Sequence, residues 1–142
     1  MTNIASHIHP MISHFPVVLI ITGFIAETLN KFRKQSFFLQ NIGYYFQIIG
    51  TIAIILAVLT GLIFTDEPKG NASEIGELHE KIAYFAMSIL IISTFFKYYI
   101  NHKNIVNKKN LNISYILYFL SLIAIIYTGL LGGILVYDYL LK

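Results

Sequence analysis

Four apolar runs, each about twenty residues or longer, alternate with short polar stretches along this 142-residue chain. The first covers "HPMISHFPVVLIITGFIAETL" and stops at the basic "NKFRK"; the last ends in "YTGLLGGILVYDYLLK". At about 1.5 Å per residue, such runs cross the ~30 Å hydrocarbon layer of a bilayer as helices. Backbone groups in lipid need partners inside their own segment, so a strand or open loop is not an alternative there. The pattern predicts helices at about 10–29, 42–64, 74–100 and 113–140. Connections this short favour antiparallel neighbours. The expected fold is all-α: a four-helix transmembrane bundle, up-down-up-down, forming a single membrane domain over residues 1–142.

Composition agrees. Hydrophobic residues make up 56% of the chain and charged residues 12%, about half the charged share of soluble domains, and the mean hydropathy is +0.69. There is no cysteine, which excludes disulfides, thiolate zinc sites, cysteine-ligated iron–sulfur clusters and covalently attached c-type haem. The net charge of +3 does not point to nucleic acid, because the basic residues concentrate in two loops. Lys31, Arg33 and Lys34 occupy the first loop, and Lys103, Lys108 and Lys109 the third, with Lys97 just before it. The second loop is acidic, with Asp66, Glu67, Glu74 and Glu77 against Lys69. The positive-inside rule then places loops one and three in the cytoplasm and both termini outside, as in a multi-pass protein of the cell (inner) membrane. The N-terminus lacks a basic region ahead of its apolar run, so it is expected to stay as the first helix. Glu27 and Asp138 are expected to reach the interface from helix ends, Glu27 four residues ahead of Lys31.

In this topology four of five histidines fall on the outer face: His7, His9 and His14 at the start of helix one, and His79 near the start of helix three. Pro10 suits a first helical position, with His9 as the cap. Pro16 removes a backbone bond one turn further in, and His14 then lies about 6 Å below the helix start. "NASE" reads as a capping box for helix three, with Asn71 as cap. His14, Thr60 and Asp66 have counterparts in His79, Thr128 and Asp138, with gaps of 46 residues (His14 to Thr60) and 49 (His79 to Thr128). Two helix pairs repeated in the same orientation are related by an axis along the membrane normal. Such an axis sets His14 opposite His79. Gly129, Gly132 and Gly133, with Gly61, remove side-chain bulk at the same level, either for close helix packing or for a flat macrocycle. Gly43, Gly50 and Ala57, seven apart, read as a packing seam.

The elements "HPMISHFPVVL", a histidine opening the third helix after an acidic loop, and "GLLGGILVY" resemble one family over nearly the whole chain. It is the group of bacterial and archaeal membrane proteins catalogued as domain of unknown function 2231. The resemblance carries over to His9, Pro10, His14, Phe15, Pro16, His79, Gly132 and Gly133. Family members usually continue past "LVY" toward another glycine, where this chain has "LVYDYLL". Some look fused to Rieske-type domains, which implies a redox setting by association.

Three functional expectations follow. The first is b-type haem held between His14 and His79, with Gly129, Gly132 and Gly133 beside it, acting in electron transfer. Glu77, Glu80 or Asp66 would accept the second ring N–H of an axial histidine. Both axial positions are then filled, so a carrier is expected rather than a catalyst, with a redox protein or larger membrane complex as partner. The second is a bare copper, zinc or iron ion bound by some of His7, His9, His14 and His79 with a nearby carboxylate. The third is a structural accessory subunit without a cofactor. No nucleophile–base pair, phosphate loop or nucleotide motif is visible.

Overall fold

The computed structural model describes residues 4–32, 36–65, 70, 72–105 and 107–140, and the side chains of these except at 4–8 and 138–140. Among the described residues four long helices form a bundle: α1 (Ile4–Phe32), α2 (Phe37–Phe64), α3 (Ala72–His102) and α4 (Lys108–Ile134). A π-helical turn, Leu135–Leu140, continues α4. All four contain segments long and apolar enough to cross a membrane.

The helices extend past the expected apolar runs, and for α4 a polar cap sets the start. Asn107 Oδ1 accepts from Asn110 N–H at 2.8 Å, so α4 starts at Lys108 rather than near residue 113. Helix α1 starts at Ile4, before Pro10 rather than at it, and both Pro10 and Pro16 lie inside it. His9 is therefore a helical residue and not a cap. The expected cap of α3, Asn71, lies outside the described residues.

Helices α1 and α2 pack most closely, and small residues on α2 set their separation. A Cβ on Gly43 would lie 3.2 Å from Gly23 O and 3.3 Å from Glu27 Cβ; one on Gly50 would lie 2.6 Å from Ile20 Cγ1. The seven-residue spacing of Gly43, Gly50 and Ala57 is thus a seam against α1. Helices α3 and α4 form the second close pair. The pairs join through α1 against α4 and α2 against α3, which leaves α1 and α3 on one diagonal.

An apolar layer fills the middle: Ile20, Ile54, Leu90, Leu122 and Ile125, with Tyr118 donating to Ile20 O at 3.1 Å. Large apolar side chains such as Phe15, Val18, Ile25, Phe85 and Ile92 stand on the outer surface instead. A bilayer is as apolar as leucine, so exposing them costs nothing there, and the small and polar residues turn inward.

The two helix pairs repeat one another, in a register different from the expected one. Buried Pro16, Ile20 and Gly23 of α1 match buried Ala86, Leu90 and Ser93 of α3, each 70 positions on. Buried Gly43, Gln47, Gly50 and Ile54 of α2 match buried Ser114, Tyr118, Ser121 and Ile125 of α4, each 71 positions on. In this register His79 corresponds to His9, not to His14, and Thr128 corresponds to Ala57, not to Thr60.

Candidate functional site

At one end of the bundle the diagonal helices bring two imidazoles together. His9 directs Nδ1 toward α2, 3.0 Å from Ala57 O and 3.3 Å from Thr60 Oγ1. His79 directs Nδ1 toward α4, 3.0 Å from Thr128 O. A carbonyl oxygen only accepts, so Nδ1 of each ring carries a proton and donates it. In the neutral ring this fixes the tautomer and leaves the Nε2 lone pair available. Both side chains are half-buried. Their ring centres lie 6.5 Å apart, with the planes at 82°.

Glycines make this possible. A Cβ on Gly61 would lie 3.1 Å from His9 Cε1, and one on Gly132 would lie 3.2 Å from His79 Cε1. Each imidazole thus rests edge-on against the backbone of the helix whose carbonyl it holds. Gly61 and Gly132 are equivalent in the repeat, 71 positions apart. The other two glycines of the expected set behave differently, since a Cβ on Gly129 or on Gly133 would meet nothing within 4 Å.

The expected pairing of His14 with His79 does not form. His14 is exposed and lines a shallow surface hollow with Phe15 and Val18. It lies five positions from His9, which at about 100° per residue turns it some 140° around the helix, so only one of the two can face the diagonal. Of the expected carboxylate partners, Glu77 and Glu80 do not hold the rings. Glu77 pairs with Lys81 at 3.1 Å on the exposed face, Glu80 is exposed, and Asp66 lies outside the described residues. Backbone carbonyls take that role. Among the described residues no group of three or more His, Cys, Asp or Glu side chains is placed to hold a metal ion; the His7 side chain is not among them.

A second polar layer sits at the opposite end of the bundle, about 27 Å away along α1. Glu27 does not reach out to Lys31. Its Oε1 accepts from Lys97 Nζ at 2.5 Å across the α1–α3 diagonal, and the side chains are 13% and 7% exposed. Lys97, read from sequence as lying just before the basic third loop, is interior. Gln47 Nε2 donates to Ser93 Oγ at 2.9 Å in the same layer. Glu27 and Lys97 are 70 positions apart, so the correct repeat register would have flagged them as facing one another. Lys31 instead lies 4.0 Å above the Tyr115 ring.

Among known protein families, the one described as "Predicted membrane protein (DUF2231)" matches residues 5–142. No curated protein and no solved structure matches the chain.

Proposed function

The chain belongs to the DUF2231 family of predicted membrane proteins, and we propose that within the bilayer it carries a haem b iron between His9 and His79 for electron transfer. The observation behind this reading is the pair itself: two rings on diagonal helices, each with Nδ1 committed to a carbonyl and centres 6.5 Å apart. Two nitrogens at about 2.0–2.1 Å from one metal put imidazole centres roughly 6 Å apart. A backbone carbonyl on the far nitrogen fixes orientation and raises the basicity of the ligating one. Two protein donors are too few for a zinc or iron ion held by side chains alone, whereas a macrocycle brings four equatorial nitrogens of its own. Haem would supply a one-electron couple there; His9 and His79 would hold it, with Ala57 O and Thr128 O fixing their tautomers.

The proposed topology is up-down-up-down with both termini outside, in the cytoplasmic membrane. It places the histidine pair just beneath the outer surface, within reach of an extracytoplasmic redox partner, and the Glu27–Lys97 layer near the cytoplasm.

One observation favours a second reading. The space at Gly61 and Gly132 is taken up by imidazole edges, which suits a bare copper(I) ion in linear two-nitrogen coordination without a macrocycle. A visible spectrum of the detergent-purified protein, before and after dithionite, separates the two. Haem gives a Soret band and sharpened α and β bands on reduction. Copper gives neither, but one metal per chain by elemental analysis. Neither signal, after expression with both cofactors supplied, would refute the proposal and leave the pair as a helix-to-helix contact.

A further inference from the structure

The internal repeat makes a demand on the chain. Two similar helix pairs can associate as unlike halves, first with second, or as like halves drawn from two copies. The side chains at three equivalent positions decide between these.

Position 27 of the first half corresponds to 97 of the second, and these meet across the pseudo-axis as Glu27 and Lys97. Like-with-like association would set Glu27 against Glu27 and Lys97 against Lys97 in the interior. Position 23 corresponds to 93, and position 47 to 118. In the observed pairing Gln47 meets Ser93, whose hydroxyl accepts its amide N–H at 2.9 Å, while Tyr118 meets Gly23, where a Cβ would come within 2.5 Å of the phenol oxygen. Two first halves together would set buried Gln47 against Gly23, which offers no hydroxyl. Two second halves would set Tyr118 against Ser93, whose Cβ occupies the space that glycine leaves free. Charge and shape, carried by different residues, reject the same alternatives.

We propose that the interface between the two helix pairs is coded for unlike halves, with Glu27 and Lys97 as the charge code and the Gly23–Tyr118 and Ser93–Gln47 contacts as the shape code. The partner each half fits is the opposite half, in its own chain or in a second copy. The code is independent of any cofactor at the histidines.

The test uses full chains bearing two different affinity tags. E27K places lysines at both axial positions of one chain, and K97E places glutamates at both. Co-expressed, the two satisfy their charges only by exchanging halves. The lysine introduced at position 27 of one chain then meets the glutamate introduced at position 97 of the other, and the remaining wild-type Glu27 meets the remaining wild-type Lys97. The expected result is at least a tenfold higher yield of mixed complex from E27K with K97E than from either variant with itself or from two wild-type chains. The double reversal E27K/K97E on one chain should return to wild-type yield and apparent mass, which separates a charge code from a simple intolerance of new side chains. Failure of the mixture to form, or loss of the double reversal along with the single variants, would overturn the proposal.

Discussion

Replacing Gly23 with alanine tests the packing at the bundle's centre, and the outcome is calculable from distances. The added methyl would sit 2.5 Å from Tyr118 Oη, 2.9 Å from Phe46 Cβ and 3.3 Å from Gly43 O. The last two atoms are anchored to backbone, so the tyrosine must move. Its hydroxyl then loses the 3.1 Å bond to Ile20 O in a fully buried position, at a cost of about 1–3 kcal/mol. Overpacking adds about 1–3 kcal/mol. Against this, alanine in place of glycine favours the helix by about 1 kcal/mol. The net expectation is a loss of roughly 1–5 kcal/mol, read as a lower midpoint when helix content is followed by circular dichroism during heating or SDS titration in detergent. Gly129→Ala is the control, because its methyl meets nothing within 4 Å and only the helix term of about 1 kcal/mol remains, in the stabilising direction. Adding Tyr118→Phe to Gly23→Ala removes the closest atom but not Phe46 Cβ, and should recover part of the loss. A Gly23→Ala protein as stable as wild type, or one displaced in the same direction as Gly129→Ala, would refute the packing argument.

Two further outcomes follow from the same coordinates. Gly61→Ala and Gly132→Ala each press a methyl to 3.1–3.2 Å from an imidazole Cε1 and should weaken metal or haem retention tenfold or more, about 1.4 kcal/mol, with helix content unchanged; retention equal to wild type would show that the rings are not held edge-on. Gln47 is fully buried with Oε1 unpartnered, so Gln47→Leu exchanges one hydrogen bond for relief of an orphan acceptor and should shift stability by no more than about 1 kcal/mol; a loss of roughly 3 kcal/mol or more would mean that Oε1 has a partner.

The spans were legible because a bilayer demands long apolar runs whatever lies inside the bundle. What faced inward was harder to read. In water, an apolar stripe marks the core, whereas in lipid the large apolar residues spread over the surface and the interior is marked by small and polar ones. On α1 the inward stripe is His9, Pro16, Ile20, Gly23 and Glu27, and on α3 it is His79, Ala86, Leu90, Ser93 and Lys97. Carried back from Glu27 at helical spacing, that stripe passes through His9 and misses His14. Treating Pro10 as a helix start made His9 a cap, so that it was expected as a ligand only for a bare metal ion and not as the partner of His79 for haem. Treating Glu27 and Lys97 as interfacial charges removed the other landmark that fixes the register. The partners of the two imidazoles were not legible at all, because backbone carbonyls leave no trace in residue type.

The most direct measurement compares cofactor content per folded chain in three variants, by absorbance and elemental analysis after identical purification. His9→Ala and His79→Ala should each abolish it, and His14→Ala, whose ring stands on the exposed face, should retain the wild-type amount. Loss in His14→Ala with retention in His9→Ala would contradict the account.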